Sequence, residues 1–209
     1  MKPLAPDDFS QEYFVHNCGG TEEIALWDRE HGAVLSERLQ RIWDAARIRP
    51  TDFVLDLGGG RGELTLHAAR VASRVVFVDF APSACTIAEK LLGGLPNAEV
   101  VCKDATIFCE QYTGPRFDVV LASDLLAHLT DDQRGCLFAA LRNILAPGGR
   151  VVVGVVAHEN YRPQASGHYA LYVNVFDDTE AVRRFGIEHG FSVASERTDH
   201  GKALIVFTL

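Results

Sequence analysis

The run Val54-Leu55-Asp56-Leu57-Gly58-Gly59-Gly60-Arg61-Gly62 carries an apolar strand into a cluster of glycines, then into a helix with Leu64, Ala68 and Val71 on one face. Glycine admits positive φ and lets a ligand approach the backbone, while the N-terminus of the following helix offers unpaired N–H groups. Asp56, Gly58, Gly59, Gly60 and Gly62 are therefore candidate ligand-contacting residues. The spacing is G-x-G-x-G. A dinucleotide fingerprint has G-x-G-x-x-G, and its last position is occupied here by Glu63. A carboxylate at that point disfavours a pyrophosphate and is compatible with a cationic ligand. Taken alone, such a turn serves equally well as a tight strand–helix connection.

Two further acidic residues change the weight of that turn. Asp79 ends the next apolar run, where a carboxylate would hydrogen-bond two ribose hydroxyls, and Phe80 follows, placed to lie against a base. Asp79 also stands where a helix N-cap before Pro82 would stand, and the two roles are compatible. Asp104 ends a third run, in Val101-Cys102-Lys103-Asp104-Ala105. Its carboxylate would accept a base amino group while the Ala105 N–H donates to a ring nitrogen; an ordinary turn Asp is the other reading. Ligands of open α/β sheets bind at the carboxyl ends of the strands, where all three positions fall.

The elements that must position these residues alternate along the chain. Apolar runs at Phe53–Leu57, Val75–Asp79, Ala98–Cys102, Phe117–Ala122 and Arg150–Ala157 are separated by helical patterns, the signature of βαβ units. The near-continuous apolar character predicts strands covered on both faces. Thr130 with Gln133 has the capping-box form, Leu137, Leu141, Ile144 and Leu145 follow at helical spacing, and Pro147-Gly148-Gly149 is expected to stop that helix. Asp177 with Glu180 repeats the capping form, and Gly190 suits the C-terminal end. Phe191–Arg197 and Lys202–Leu209 read as strands joined by Thr198-Asp199-His200-Gly201; strands so close cannot be parallel neighbours. The first fifty residues read as mostly helical. Leu35, Leu39, Ile42, Trp43 and Ala46 share one face, Arg38–Arg49 with Glu37 and Asp44 reads as a solvated face, and the stretch at Tyr13, Phe14 and His16 is a candidate lid.

Composition bounds the partners. The expected organisation is a single domain, 1–209, with a helical cap segment over 1–50 and a Rossmann-like core over 51–209. Lys plus Arg number 20 against 28 Asp plus Glu, a net charge of −8, and no Lys/Arg cluster suits a phosphate backbone, so a small-molecule substrate is favoured over nucleic acid. Apolar runs such as Val151–Val153 are too short for a bilayer, and Met1–Asp8 has no apolar core of a signal peptide. Cys18, Cys85, Cys102, Cys109 and Cys136 form an odd set with no C-x-x-C pair, read as free thiols in a reducing cytoplasm. Oligomeric state is not encoded in any of these patterns.

From Phe53 onward the chain resembles class I S-adenosylmethionine-dependent methyltransferases. Val54–Gly62 resembles the family's glycine-rich cofactor motif, Val76–Pro82 its ribose-binding strand end, and Cys102–Ala105 its adenine-binding motif. Phe117–Leu129 looks like the fourth-strand motif, and Leu145-Ala146-Pro147-Gly148-Gly149-Arg150 like the turn into strand five. The resemblance implies S-adenosyl-L-methionine as cofactor and S-adenosyl-L-homocysteine as product. It implies a doubly wound α/β sheet in the order 3-2-1-4-5-7-6 with strand seven antiparallel, and Ser123 near the methionine end. The Asn/Asp-Pro-Pro-aromatic signature of adenine-N6 enzymes and the Pro-Cys of cytosine-C5 enzymes are absent from the fourth-strand region.

A methyl transfer from a sulfonium needs in-line alignment, and a base only where the acceptor is protonated. His158, expected just beyond strand five at the ligand edge, is the first candidate base, with a loop histidine as the plain reading. His128, just after the fourth-strand motif, is the second, with a structural role the plainer one. His16, His168, Tyr13, Tyr169 and Tyr172 are candidate lid groups. Asp124, Glu159 and Asn160 loosely resemble the ligand set of magnesium-dependent catechol methyltransferases, but no metal is expected. The rivals are a non-catalytic methyltransferase-like subunit and a nicotinamide-dependent reductase, the latter disfavoured by Glu63.

Overall fold

A computed structural model of the chain describes residues 3–14, 35–158, 171–199 and 202–209. The strands β1 (Phe53–Leu57), β2 (Arg74–Asp79), β3 (Ala98–Cys102), β4 (Phe117–Ser123), β5 (Leu145–Val156), β6 (Ser192–Asp199) and β7 (Lys202–Thr208) form one sheet ordered β3-β2-β1-β4-β5-β7-β6. The strands β3, β2, β1, β4 and β5 pair in parallel, and β7 runs antiparallel to β5 and β6. This is the doubly wound topology expected from the sequence.

The helices are α1 (Glu37–Ala46), α2 (Glu63–Ala69), α3 (Pro82–Leu92), α4 (Ala105–Gln111), α5 (Asp131–Ile144) and α6 (Thr179–Glu188). Alternate strand residues divide the core between two faces, because successive side chains of a strand point opposite ways. Val54, Val75, Val119, Leu121 and Val152 pack with Ile42 and Ala46 of α1 and Leu64 and Ala68 of α2. Leu55, Val76, Val120 and Val153 pack with Leu137, Phe138 and Leu141 of α5 on the other. Phe77 joins Ala84, Ile87 and Leu91 of α3.

Thr130 caps α5 as expected: its hydroxyl accepts from the Gln133 N–H at 3.3 Å, and Gln133 Oε1 accepts from the Thr130 N–H at 3.0 Å. The helix stops at Ile144, before Pro147-Gly148-Gly149, and those three residues lie inside β5. Proline is tolerated there because the ladder is interrupted: the register with β4 shifts between the Phe117–Leu145 and Val119–Arg150 pairs. At α6 the cap is Asp178, whose carboxylate accepts from the Ala181 N–H at 2.7 Å, one residue later than the spacing of Asp177 suggested. Gly190 follows that helix at φ +82°.

The N-terminal region contains a short 3₁₀ turn, Pro6–Asp8, and α1; residues 15–34, including His16, lie outside the described residues. Helix α1 lies close on the sheet because Gly154 has no side chain. A Cβ there would meet Ile42 Cδ1 at 2.7 Å. Arg150 fixes the end of the helix, donating to the Arg47 carbonyl at 2.7 Å and pairing with buried Asp52 at 3.0 Å. No helix among the described residues is long and apolar enough to cross a membrane.

Candidate active site

The turn after β1 is closed by backbone geometry that glycine alone adopts without strain. Gly58, Gly60 and Gly62 have φ of +64°, +58° and +87°, and the Gly58 N–H donates to the Val78 carbonyl at 2.8 Å. The carboxylate of Asp79 then ties β2 to this turn, one oxygen accepting from the Gly60 N–H at 3.0 Å and the other from the Ala81 N–H at 2.9 Å. Ala81, not Asp79, occupies the N-cap of α3. Burial pushes the Asp79 carboxyl up to about 6 against these hydrogen bonds.

Asp56 lies beneath the turn, accepting from the Thr65 hydroxyl at 2.6 Å. Complete burial raises its carboxyl to about 7, and the charges of Asp79 and Glu63 add to the rise. Glu63 is paired with Arg61. Asp104 caps α4, accepting on one oxygen from the N–H groups of Thr106 at 2.8 Å and Ile107 at 3.0 Å.

These residues line a cavity of about 730 Å³ along the carboxyl edge of the sheet. Asp104 and Ala105 lie at the β3 end, Asp79 and Phe80 at β2, Gly58, Gly59 and Gly60 at β1, and Ser123 with Asp124 at β4. Asp56 also lines it. Gly62 is absent from the lining and serves instead to begin α2. Phe9, Tyr13 and Phe14 form a roof. The Phe9 ring meets Phe80 and His128 edge-on at 5.3 and 5.2 Å, and Ser83 donates to its carbonyl.

The two candidate histidines separate. His128 ends a 3₁₀ turn, Leu125–His128, and lines the cavity, with Nδ1 2.9 Å from the Leu171 carbonyl and Tyr172 4.9 Å from its ring. His158 lies just beyond β5 with its backbone N–H on the Phe176 carbonyl at 2.9 Å; its side chain is exposed and is not among the described residues lining the cavity.

Arg38 is a cavity-lining residue that sequence reading missed. Rather than lying on a solvated face, it lines the cavity, with Nη1 2.6 Å from Ser123 Oγ and 2.6 Å from Asp124 Oδ2. Asp124 itself has φ +58°, a left-handed conformation that few residues other than glycine adopt. Glu159, Asn160, His168 and Tyr169 lie outside the described residues. Among the described residues, no three His, Cys, Asp or Glu side chains gather as a metal site.

A mostly parallel sheet with a glycine turn and acidic strand ends around one cleft defines an α/β protein of the doubly wound kind, with its cavity at the carboxyl edge of the strands. Residues 54–149 match the family model described as "Methyltransferase domain". The ubiquinone/menaquinone biosynthesis C-methyltransferase UbiE of Teredinibacter turnerae is 31% identical over 131 residues, 57% of this chain and 51% of that protein. An rRNA adenine N-6-methyltransferase of Bacteroides fragilis is 28% identical over 145 residues, 68% of this chain and 52% of that protein. The chain thus spans about half the length of these relatives. Among solved structures, the N-methyltransferase NodS of Bradyrhizobium japonicum, in complex with S-adenosyl-L-homocysteine, superposes with a TM-score of 0.63 at 18% identity, over 81% of this chain and 83% of that one. The fold is therefore that of class I methyltransferases.

Proposed function

We propose that this chain is an S-adenosylmethionine-dependent methyltransferase acting on a small-molecule acceptor. The observation that carries the reading is the alignment of Asp104, Asp79 and the glycine turn on adjacent strand ends around one cavity. The residues fit the cofactor. Gly60 presents bare backbone to the cavity, where an added Cβ would meet no atom closer than Phe14 at 3.8 Å. Even with buried Asp56 left out, Glu63, Asp79, Asp104 and Asp124 outnumber Arg38, Arg61 and Lys202 on the lining, which favours a cationic ligand. Asp79 would hold the ribose hydroxyls, Phe80 and Ala105 the base, and Asp104 its amino group. When bound, the cofactor's sulfonium supplies an electrophilic methyl group.

The chain's remaining tasks are to align the acceptor and remove a proton. His128 is placed for the second. A carbonyl only accepts, so His128 Nδ1 carries the hydrogen toward Leu171, and in the neutral ring Nε2 keeps its lone pair. The acceptor is read as a small molecule because the surface flanking the cavity is acidic. Asp7, Asp8 and Glu12 are exposed beside the roof residues, as are Asp131 and Asp132 at the start of α5, and these would repel a phosphate backbone.

The test has two stages. Titration calorimetry with S-adenosylhomocysteine on EDTA-treated protein should show binding. A panel of phenols, amines, thiols and carboxylic acids, with a short RNA stem-loop as a separate arm, is then scored for S-adenosylhomocysteine release. Turnover confined to the RNA arm would overturn the small-molecule assignment, and no binding in the first stage would overturn the whole reading.

A further inference from the structure

Two of the chain's five cysteines meet outside the cavity, where the ends of β2 and β3 pack against the first turn of α3. Cys102 is the last residue of β3 and pairs in register with Asp79, the last residue of β2. Val100 and Ala98, two and four positions back, pack into the cluster that holds Cys85, Ala88 and Leu91 of α3. The alternation of the strand turns Cys102 to that same face. Cys85 stands in the first turn of α3 with its thiol donating to the Asp79 carbonyl at 3.3 Å. The two cysteine side chains lie within hydrogen-bonding reach of each other. Neither is among the described residues lining the cavity.

The pair is unequal in a way that orders a reaction. Cys102 is exposed and Cys85 is buried. Burial pushes the Cys85 thiol well up, and the neighbouring Cys102 adds to the rise, so Cys85 is not the first nucleophile. Cys102 is open to a small reagent from solvent. The Asp79 carbonyl is a junction between them. Besides the Cys85 thiol it accepts from the N–H of Lys103, the residue between Cys102 and Asp104, at 2.8 Å. Whatever joins the two sulfurs therefore acts on the strand ends that carry Asp79 and Asp104.

We infer that Cys85 and Cys102 form a redox-active dithiol that a small-molecule disulfide such as oxidised glutathione closes to a disulfide, weakening ligands held at the Asp79–Asp104 end of the cavity. The disulfide is independent of the methyltransferase reading, and its effect on the ligand rests on that reading. The Cys102 thiolate attacks one sulfur of the oxidant and expels a glutathione thiolate. Cys85, as thiolate, then attacks the Cys102 sulfur and expels the second. Two protein thiols are oxidised, one small disulfide is reduced to two thiols, and the protons of Cys85 and Cys102 end on the two glutathiones. Bonded sulfurs stand about 2.0 Å apart, closer than touching thiols, so closure draws the end of β3 toward α3. It also removes the hydrogen that Cys85 donates to the Asp79 carbonyl.

The experiment incubates reduced protein with oxidised glutathione, alkylates the remaining thiols and digests with trypsin. Cleavage after Arg74, Lys90 and Lys103 places the two cysteines on separate peptides, 75–90 and 91–103. Those peptides should be recovered joined in wild type and in Cys136→Ser, and unjoined in Cys102→Ser. Oxidised wild type should bind S-adenosylhomocysteine about tenfold more weakly in calorimetry, with dithiothreitol restoring the affinity and Cys102→Ser showing no change. Both cysteines alkylated, or 91–103 carrying glutathione while Cys85 is alkylated, overturns the dithiol. A joined pair with unchanged affinity overturns its effect on the ligand. Reduced wild type that fails to bind S-adenosylhomocysteine overturns the methyltransferase reading, and the peptide map still decides the disulfide.

Discussion

Asp79 accepts a hydrogen bond from the backbone N–H of Gly60 at 3.0 Å, so the end of β2 and the turn after β1 are one rigid unit rather than two loops facing a gap. The carboxylate that the proposed function assigns to the ribose is thus held by the same turn that presents bare backbone to the cavity.

Replacing it tests both functions. Asp79→Ala leaves the Gly60 and Ala81 N–H groups without their acceptor, which should cost about 1–3 kcal/mol of stability. It should also remove two charge-assisted hydrogen bonds to the ribose, weakening S-adenosylhomocysteine about 100-fold or more. Calorimetry on the folded variant checks this, and unchanged affinity would remove the ribose assignment.

The buried carboxyls give the site a pH dependence of definite sign. Asp56, near 7, and Asp79, near 6, both titrate above the ordinary aspartate value of 3.8, so between about pH 4 and 7 the folded chain holds more protons than the unfolded one. Their contribution to stability is therefore present at low pH and lost as pH rises through 6 to 7. Melting temperature measured from pH 5 to 8 should fall less steeply in Asp56→Asn than in wild type. Affinity for a cationic ligand should run the other way, rising over the same interval. Equal melting slopes in the two proteins would sink the argument.

Two glycines separate packing from backbone strain. A Cβ at Gly59 would meet the Phe77 ring at 2.5 Å and Asp56 Oδ2 at 3.2 Å, so Gly59→Ala should destabilise by about 1–3 kcal/mol in denaturant melts and disturb the ligand turn. Gly148 has φ +73° with nothing within 4 Å, so Gly148→Ala should cost only about 1 kcal/mol and leave ligand affinity untouched. Similar losses in both would show that the Phe77 contact is not what fixes Gly59.

On a confirmed acceptor, His128→Ala should keep cofactor affinity and lose about 10²–10⁴ in turnover, while His158→Ala should keep its turnover. Because Nδ1 of His128 also holds Leu171, melting temperatures must be measured alongside. Turnover lost in His158→Ala alone would return the proton to the residue first picked out by position in the sequence.

Much of this was legible in the residues. The apolar run between Asp52 and Gly58 placed β1 to the residue, because a strand buried on both faces leaves an uninterrupted signal. Strand β3 was also placed to the residue, although it is the edge strand and exposes Glu99 and Cys102. The carboxyl edge was legible as well, since Asp79 and Asp104 simply follow their strands. Arg38 was not, because its partners are Ser123 and Asp124, 85 and 86 positions away, and nothing local distinguishes an arginine facing a cavity from one facing water. The start of β5 was hidden too. Pro147 reads as a breaker unless a register shift in the neighbouring pair is already known. His158 and His128 both stand just past strand ends, and only the packing of the Leu125–His128 turn against Phe9 and Tyr172 distinguishes them.

His158 and Leu171 are each tied to the rest of the chain through a backbone group. His158 is moored to Phe176 through its backbone, while Leu171 is moored through its carbonyl to His128. Buried Arg134 rivets the returning strap in place, donating to the Leu126 and Asn174 carbonyls with its guanidinium 4.1 Å over the Phe176 ring. Arg134 therefore acts on the cavity at a distance: loosening it would release the 171–176 strap and, through the Leu171 carbonyl, the ring of His128 on the cavity wall.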